Sequence, residues 1–352
     1  MPRDSFKTIG WDIGGANIKA AAFCRQKHGL VESKAVVRPF EIWRERMNLP
    51  AALAEIGDAL GAAGTDAMAL TMTAELSDTF LRKREGVLFV FDAMARAFPR
   101  TPIHPLSLAG DFVQLDEARV HPLDFAASNW VAGALYVAGR RPTCILADVG
   151  STTSDIIPIR DGRIVSRGST DMERLTSGEL VYSGILRTNP NTIAGEVPVD
   201  GLMCRVAAEY FTVMADVYLI LGLISAEGYT CPTPDGRDKT PGAARERLAR
   251  LVCADGEMLD EEQTLKLARY LFEKQLQQLT DALCQVLSGL ENGHQMPLAA
   301  AGAGSFLATE AGRRLGMAIL DLGTEWGEEA AAALPARAAA FLLAQKIHGE
   351  DS

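Results

Sequence analysis

Two segments of this sequence, far apart along the chain, share one pattern of residues. The first is DIGGANIK at 12–19, and the second is DVGSTTSD at 148–155. In each segment a predicted strand runs into an Asp, a Gly follows two residues later, and another predicted strand leaves the turn. We name these segments loop 1 and loop 2. Because each one opens half of the chain, they predict two lobes that begin in the same way.

The residue types in both loops are suited to binding phosphate. A hairpin tip that contains Gly can expose consecutive backbone N–H groups to a phosphate oxygen. The residues expected to bind phosphate are Gly14, Gly15, Asn17 and Lys19 in loop 1, and Gly150, Ser151, Thr152 and Thr153 in loop 2. Asp12 and Asp148 are expected to act in catalysis and to hold Mg²⁺, usually through water. The alternative is two ordinary hairpins in which an Asp caps each turn.

A third segment, GAGS at 302–305, follows a short predicted strand and precedes a predicted helix. We name it the glycine motif. Gly302 and Gly304 would let a ligand lie close to the backbone, and a helix N-terminus attracts anions. We therefore expect both glycines to contact a bound cofactor. Small residues at this position are also compatible with tight packing of the helix on the strand.

Strands and helices alternate along the 352 residues, which predicts an α/β protein with two domains. The expected division is 1–142 plus 328–352 for lobe I, and 143–327 for lobe II. Helices are predicted at 124–138, 206–223 and 328–347. The Pro- and Gly-rich stretch 228–242 is predicted to be a loop, either flexible or an active-site flap.

Charge and composition exclude several kinds of partner. The net charge of −10 argues against nucleic acid, whose binding requires a surplus of Lys and Arg. The six cysteines form no Cys-x-x-Cys pair, so a zinc site is not expected. No apolar run reaches the roughly 20 residues that span a bilayer, and the N-terminus lacks the apolar core of a signal peptide. We expect a cytoplasmic protein without a membrane partner, and the sequence leaves a homo-oligomer open.

Loop 1, loop 2 and the glycine motif, in this order, resemble the two phosphate loops and the adenosine motif of the actin, hexokinase and Hsp70-like ATPase superfamily. The predicted helices at 124–138 and 328–347 resemble its two connecting helices. The resemblance covers nearly the whole chain. It implies an α/β fold with two actin-like (ribonuclease H-like) lobes and a ligand cleft between them.

A narrower resemblance rests on TMTAELSD at 71–78, ADVGSTTSDIIP at 147–158 and LVYSGILRT at 180–188. Together they resemble the hydantoinase/oxoprolinase-related family linked to tetrahydromethanopterin-dependent one-carbon transfer. Archaeal members of that family serve methanofuran biosynthesis, and methylotrophic bacteria have relatives for methylofuran. The resemblance implies a transferase that joins an aminomethylfuran-methyl diphosphate to the phenol of a γ-glutamyltyramine-like acceptor and releases pyrophosphate.

The implied reaction assigns roles to the acidic residues. Mg²⁺ near Asp12 or Asp148 would stabilise the leaving diphosphate, and ATP, although it could bind, need not be used. The phenol needs a base, for which Glu75 and Asp78 are the candidates, although both could simply be acids at a helix N-terminus. Two other functions stay open: an ATP-dependent small-molecule kinase or hydantoinase-type hydrolase, and a non-catalytic nucleotide-sensing scaffold.

Overall fold

The computed structural model describes residues 6–26, 29–327 and 333–349. The strands are β1 (Lys7–Ile13), β2 (Asn17–Gln26), β3 (Gly29–Pro39), β4 (Ala67–Met72), β5 (Ile103–Pro105), β6 (Cys144–Val149), β7 (Ser154–Arg160), β8 (Arg163–Ile164), β9 (Leu180–Val181), β10 (Glu196–Val199), β11 (Leu202–Arg205), β12 (Leu298–Ala301) and β13 (Ile319–Asp321). The α-helices are α1 (Ile42–Glu45), α2 (Leu49–Ala59), α3 (Lys83–Ala97), α4 (Leu115–Ala118), α5 (Asn129–Ala138), α6 (Asp171–Ser177), α7 (Met214–Ile220), α8 (Pro241–Ala249), α9 (Glu261–Ser288), α10 (Ser305–Arg314), α11 (Leu322–Trp326) and α12 (Leu334–Gly349).

The first sheet has the strand order β3-β2-β1-β4-β5. Strand β1 pairs antiparallel with β2 through loop 1 and parallel with β4. Both β1 and β4 are buried along nearly their whole length, which is the pattern of strands covered on both faces. The sheet thus combines a hairpin on one side of β1 with parallel strands on the other.

The second sheet follows the path β13-β12-β6-β7-β8, with β9 paired to β7. Strand β12 runs parallel to both β6 and β13, and β7 pairs antiparallel with β8. Loop 2 joins β6 to β7 in the same way that loop 1 joins β1 to β2. The order of a central strand, its hairpin and two parallel neighbours therefore occurs twice, which confirms the prediction of an α/β fold with two related lobes.

Two compact units divide the chain. The first contains Met1–Cys144, Ile157–Arg174 and Gly323–Ser352, and the second contains Ile145–Ile156 and Leu175–Leu322. Each unit has its own buried apolar core. The predicted division, 1–142 plus 328–352 against 143–327, differs chiefly in the segment Ile157–Arg174, which packs with the first unit because β8 contacts α5 there.

Helix α12 packs on strand β1 within the first unit. A Cβ atom at Gly10 would lie 2.0 Å from the carbonyl oxygen of Ala336, so only glycine permits this close approach. The hydroxyl of Thr8 donates to the carbonyl of Ala340 at 3.0 Å. The strand that ends in loop 1 is thereby fixed against a helix. Residues 328–332 of the predicted closing helix lie outside the described residues.

The predicted helix at 206–223 is wrong for most of its length, because α7 covers only Met214–Ile220. The carboxylate of Asp216 accepts hydrogen bonds from the Val213 amide at 3.2 Å and the Thr212 hydroxyl at 2.9 Å. An Asp that caps the chain in this way starts a helix rather than continuing one. The apolar run at 206–223 does not by itself indicate where the helix begins.

The predicted helix at 124–138 begins later, at Asn129. A 3-10 turn spans Pro122–Phe125, and Ala127 has a left-handed φ of 51°, which interrupts a helix. The Asp–Gly pair at 161–162 is a residue pair that favours a two-residue hairpin, and Asp161 and Gly162 both have positive φ between β7 and β8.

The predicted loop at 228–242 has no helix or strand before Thr240, and a buried ion pair anchors it in the second unit. Arg247 and Asp216, both fully buried, are joined at 2.6 Å. Arg247 also contacts Asp235 of the loop at 3.2 Å. Whether this segment closes over a ligand stays a prediction.

Candidate functional site

Loop 1 and loop 2 close with the same backbone hydrogen bond. In loop 1 the amide of Gly14 donates to the carbonyl of Asn17 at 2.9 Å, and in loop 2 the amide of Gly150 donates to the carbonyl of Thr153 at 2.8 Å. A Cβ atom at Gly14 would lie 2.9 Å from the Asn17 oxygen, so a side chain would open this turn. Both Asp–x–Gly segments therefore form tight two-residue turns between antiparallel strands.

The carbonyl groups at the tip of loop 1 are tied to the chain that follows β3. The amide of Phe40 donates to the Ala16 carbonyl at 2.9 Å, and the amide of Ile42 donates to the Gly15 carbonyl at 3.0 Å. The amides of Gly15 and Ala16 make no hydrogen bond to any described residue. Carbonyl oxygens would repel an anion, whereas unused amides attract one.

A different segment holds the carbonyl groups of loop 2. The amide of Ile185 donates to the Gly150 carbonyl at 3.0 Å, and the amides of Leu186 and Arg187 donate to the Ser151 carbonyl at 3.1 and 2.9 Å. We name the residues 183–188 the bracing turn. As in loop 1, the amides of a neighbouring segment therefore donate hydrogen bonds to carbonyl groups of the loop.

Loop 2 offers more hydrogen-bond donors than loop 1. Ser151, Thr152 and Thr153 are partly exposed, and their amides donate to no group in the described part of the chain. The hydroxyls of Ser151 and Thr152 lie 3.4 Å apart. Amides and hydroxyls gathered on one short turn make an arrangement that can bind phosphate oxygens.

Loop 1 offers a cation instead. Asp12 and Lys19 are cross-strand partners on β1 and β2, with Lys19 Nζ 3.6 Å from Asp12 Oδ2. Asp12 is 3% exposed, whereas the Lys19 side chain is 27% exposed. The ammonium group can therefore reach a ligand while Asp12 holds it beside the turn.

The glycine motif lies directly against the end of strand β6, within the second unit. A Cβ atom at Gly302 would lie 2.4 Å from both Asp148 Oδ1 and the Val149 carbonyl oxygen. The amide of Gly304 donates to that Val149 carbonyl at 2.8 Å. Gly302 also has a φ of 81°, which favours glycine. The structure thus brings together Asp148, loop 2 and the N-terminal end of helix α10.

Glu75 follows strand β4, which runs parallel to β1. The amide of Thr73 donates to the Ile13 carbonyl at 2.9 Å, so the chain leaves β4 beside loop 1. Glu75 then lies in a short 3-10 turn, Ala74–Leu76, and is 1% exposed. Helix α3 packs on this turn at Gly86, where a Cβ atom would lie 2.5 Å from the Glu75 Cα.

The environment of Glu75 changes its acidity. Burial raises the pKa of the carboxyl from 4.5 to about 7, while backbone amides and the positive charge of Lys83 oppose the rise. Neither carboxylate oxygen makes a hydrogen bond of ordinary geometry to a described residue. Lys83 is itself paired with Asp171 at 2.7 Å. A carboxyl group with a pKa near neutrality is suited to accept a proton.

The second acidic candidate, Asp78, is exposed, so only Glu75 occupies a buried setting. Sequence reasoning missed the residues that support loop 2, namely Gly184 of the bracing turn and Gln275 of helix α9. One signal was available for Gln275. It lies four residues after Leu271 and four before Leu279, on the buried face of α9, where a polar residue is unusual.

Within the described ranges, no three His, Cys, Asp or Glu residues cluster in a way that could hold a metal ion. None of the helices in those ranges is both long and apolar enough to cross a membrane.

Comparison with known proteins gives the class of this chain. Residues 66–345 match the model of the hydantoinase/oxoprolinase family, and the chain belongs to that family. The match confirms the family that the segments at 71–78, 147–158 and 180–188 indicate.

Two curated relatives are similar in sequence. The (4-{4-[2-(gamma-L-glutamylamino)ethyl]phenoxymethyl}furan-2-yl)methanamine synthase of Methanocaldococcus jannaschii is 37% identical over 270 residues, which are 76% of this chain and 78% of that protein. The synthase of the same name from Methanococcus vannielii is 37% identical over 125 residues, 36% of this chain and 56% of that protein.

The fold of this chain is similar to that of solved structures. Among these structures is the nucleotide-free acetone carboxylase, an enzyme of ATP-dependent acetone carboxylation, with 10% identity and a TM-score of 0.52. The superposition covers 96% of this chain and 70% of that chain. At this identity the likeness concerns the fold alone.

Proposed function

We propose that this protein is a transferase of methylofuran- or methanofuran-type cofactor biosynthesis. It joins an (aminomethyl)furan-methyl diphosphate to the phenol oxygen of a tyramine- or tyrosine-type acceptor such as γ-glutamyltyramine. The sequence identity of 37% to the synthase of M. jannaschii supports the product, which contains a phenoxymethylfuran ether. The observation that carries the proposal is the geometry of loop 2: its Gly150 and Ser151 carbonyls accept backbone hydrogen bonds, while the amides of Ser151, Thr152 and Thr153 donate to no group in the described part of the chain.

The reaction follows from the bond that must form. The phenol loses its proton to a base, and its oxygen attacks the methylene carbon on the furan ring. The bond between that carbon and the diphosphate oxygen breaks, and pyrophosphate leaves with the bonding electrons. Charge develops on the leaving oxygen, so donors fixed around the diphosphate stabilise the transition state more than the ground state.

Loop 2 is proposed to bind this diphosphate. Ser151, Thr152 and Thr153 would donate amide and hydroxyl hydrogen bonds, and Gly150 keeps the turn tight. Gly302 and Gly304 lie against the Asp148 end of the same strand, where the N-terminus of α10 adds favourable charge.

Loop 1 is likewise proposed to bind phosphate, through Gly14, Gly15, Asn17 and the ammonium of Lys19. Lys19 would act as a point charge, oriented by Asp12 at 3.6 Å. Because the Lys19 side chain is 27% exposed, it has room to turn toward a phosphate oxygen.

Glu75 is proposed as the base that accepts the phenolic proton. Its pKa of about 7 makes a substantial fraction ionised at neutral pH, and its oxygens make no hydrogen bond of ordinary geometry within the described ranges. A base of this pKa is matched to work near neutrality.

The residues also fit a magnesium ion. Mg²⁺ keeps several waters and takes only one or two protein carboxylates together with substrate phosphates, so it does not require a cluster of three ligands. Asp12 or Asp148 would hold it. The ion would supply positive charge that offsets the charge of the diphosphate.

A second function is favoured by the glycine motif, which would suit the adenosine of ATP. In that case the same loops would bind ATP in a small-molecule kinase or a hydantoinase-type hydrolase. The two functions differ in their products. Purified protein given the furan diphosphate, the phenolic amine and Mg²⁺, without ATP, is expected to release pyrophosphate and form the ether. Absence of both products, with ADP formed when ATP is added, would favour the second function.

A further inference from the structure

Loop 2 depends on support from outside the loop. Its Gly150 and Ser151 carbonyls accept hydrogen bonds from three consecutive amides of the bracing turn. Ser154 of loop 2 returns one hydrogen bond to the Ser183 carbonyl at 2.7 Å. The amides of loop 2 can face a ligand only while these carbonyls are held away from it. The position of the bracing turn therefore decides the shape of the proposed phosphate site.

Within the bracing turn, the Thr188 side chain is hydrogen-bonded to both backbone groups of Gly184. Thr188 Oγ1 accepts a hydrogen bond from the Gly184 amide at 2.8 Å and donates one to the Gly184 carbonyl at 2.9 Å. Gly184 lies against loop 2, since a Cβ atom there would be 2.4 Å from the Thr152 nitrogen. Any shift of Gly184 is thus transmitted to the tip of loop 2.

The amides of Met214 and Ala215 donate to the carbonyls of Thr188 and Leu186 at 2.8 and 3.2 Å, which ties the end of the bracing turn to α7. Gln275 is the side chain that ties the beginning of the turn to α9. This residue lies in the middle of α9 and is 2% exposed. Its Nε2 donates to the Gly184 carbonyl at 3.0 Å and to Ser183 Oγ at 2.7 Å. Its Oε1 accepts from the hydroxyl of Tyr218, on α7, at 2.6 Å.

The partners fix the orientation of this amide group. The Gly184 carbonyl can only accept, so the nitrogen of Gln275 must face it, and the oxygen then faces the Tyr218 hydroxyl. Burial raises the pKa of Tyr218, which keeps that hydroxyl protonated and able to donate. The network is fully satisfied, and a buried network of this kind is rigid.

We propose that Gln275 is a positioning residue: it holds the bracing turn in the one arrangement that keeps loop 2 open to a phosphate group. The inference rests on the proposed function, because it assumes that loop 2 binds the diphosphate. It extends that function by assigning a role to a residue more than a hundred positions away in the chain. Gln275 touches no substrate and acts through Gly184.

The test uses Gln275→Met, which keeps the length of the side chain and removes both polar groups. The matched control is Gln277→Met, on the exposed face of the same helix, which removes only a bond to Asp281. We measure amide hydrogen exchange in peptides covering 149–155, the affinity for pyrophosphate with Mg²⁺, and the KM for each substrate.

Gln275→Met is expected to speed amide exchange in loop 2 and to weaken pyrophosphate binding about tenfold, the usual order for an outer supporting group. The KM for the furan diphosphate should rise while the KM for the phenol stays constant. Gln277→Met should change none of these values. A general loss of stability would lower the fraction of folded enzyme, and with it the apparent kcat, and would leave both KM values unchanged, so a rise in the KM for the furan diphosphate alone identifies positioning.

The inference is overturned if folded Gln275→Met keeps wild-type exchange in loop 2 and wild-type pyrophosphate affinity. If Gln275→Met does not fold, the same measurements are made on Tyr218→Phe, because this substitution removes only the hydroxyl that orients Gln275. If wild-type protein does not bind pyrophosphate, the proposed function fails. The rate of amide hydrogen exchange in peptides covering 149–155, compared between Gln275→Met and wild type, then decides by itself whether Gln275 positions loop 2.

Discussion

The tip of loop 1 consists of Gly15 and Ala16, without a hydroxyl, and Lys19 stands beside the Asp at 3.6 Å. The tip of loop 2 carries Ser151 and Thr152, and the Asp of that loop lies against Gly302. Both turns close with the same hydrogen bond, yet one presents a cation and the other presents neutral donors. The two loops therefore share a backbone turn but differ in the chemical groups that they present to a ligand.

The support of the two loops differs as well. Loop 1 is held by Phe40 and Ile42, which follow the next strand of its own sheet. Loop 2 is held by the bracing turn, which in turn depends on helix α9. We therefore expect loop 2 to respond to substitutions at distant positions, and loop 1 to respond mainly to changes within its hairpin.

The largest effect is expected from the Asp of loop 2. Asp148→Asn keeps the shape of the side chain but removes the charge, and it should lower kcat about a hundredfold to a thousandfold with little change in Tm. Steady-state kinetics of pyrophosphate release measure the effect. Asp161→Asn removes the same charge from an exposed hairpin and should leave kcat unchanged. Activity of Asp148→Asn within threefold of wild type would remove Asp148 from the mechanism.

The next effect concerns the contact between the glycine motif and strand β6. Gly302→Ala would place a methyl group 2.4 Å from Asp148 Oδ1, whereas Gly316→Ala has the same left-handed strain with nothing within 4 Å. Gly302→Ala should lower the free energy of unfolding by about 1 to 3 kcal/mol more than Gly316→Ala does. It should also lose most of the activity. Equal effects of the two variants in chemical denaturation would contradict the close contact.

Glu75 gives a prediction on pH. The base must be ionised, so the rate should rise with pH through an apparent pKa of about 7. Glu75→Gln should lower kcat about a hundredfold or more and abolish this limb of the pH profile. Asp78→Asn, which alters the exposed alternative, should keep both the rate and the limb. If Asp78→Asn, rather than Glu75→Gln, abolishes the rise of the rate with pH, then Asp78 is the base.

The same pKa makes a prediction on stability. Because burial raises the pKa in the folded state, the protonated carboxyl stabilises the fold below pH 4.5, and this contribution is lost as the pH rises through about 7. Glu75→Gln should therefore be more stable than wild type at pH 9, by at most about 3 kcal/mol, and equal to it at pH 4. Denaturant titrations at both pH values measure the difference.

The smallest effect is expected from the lysine of loop 1. Lys19→Met should raise the KM for the furan diphosphate roughly threefold to tenfold, because a partly exposed charge contributes modestly. Its Tm should hardly change. Lys34→Met, at an exposed position on β3, is the control and should behave as wild type. A larger effect for Lys19→Met than for Asp148→Asn would reverse the ranking of the two loops.

The sequence predicted the features that depend on local chemistry. The turns at Gly14 and Gly150, the strand of the glycine motif and the hairpin at Asp161 all follow from residue types a few positions apart. These signals sufficed for the α/β class and for the family. The helix at 206–223 failed because the capping role of Asp216 depends on which backbone amide it reaches.

The support of loop 2 could not be predicted, since its parts come from remote positions. Gln275 and Gly184 are 91 residues apart in the chain and meet only in the folded unit. The burial of Glu75 likewise depends on helix α3, which packs on its turn at Gly86, and the residues around Glu75 do not indicate this contact. Long-range packing, rather than local preference, decides both features.

The central claim is that the phosphates held by these loops belong to the substrate. The most direct measurement supplies acceptor labelled with ¹⁸O at the phenol, together with furan diphosphate and Mg²⁺, and follows the label by mass spectrometry without ATP. The account predicts that the label appears in the ether product and that the pyrophosphate released is unlabelled. Label in a phosphorylated phenol, or a reaction that proceeds only with ATP and yields ADP, would contradict it.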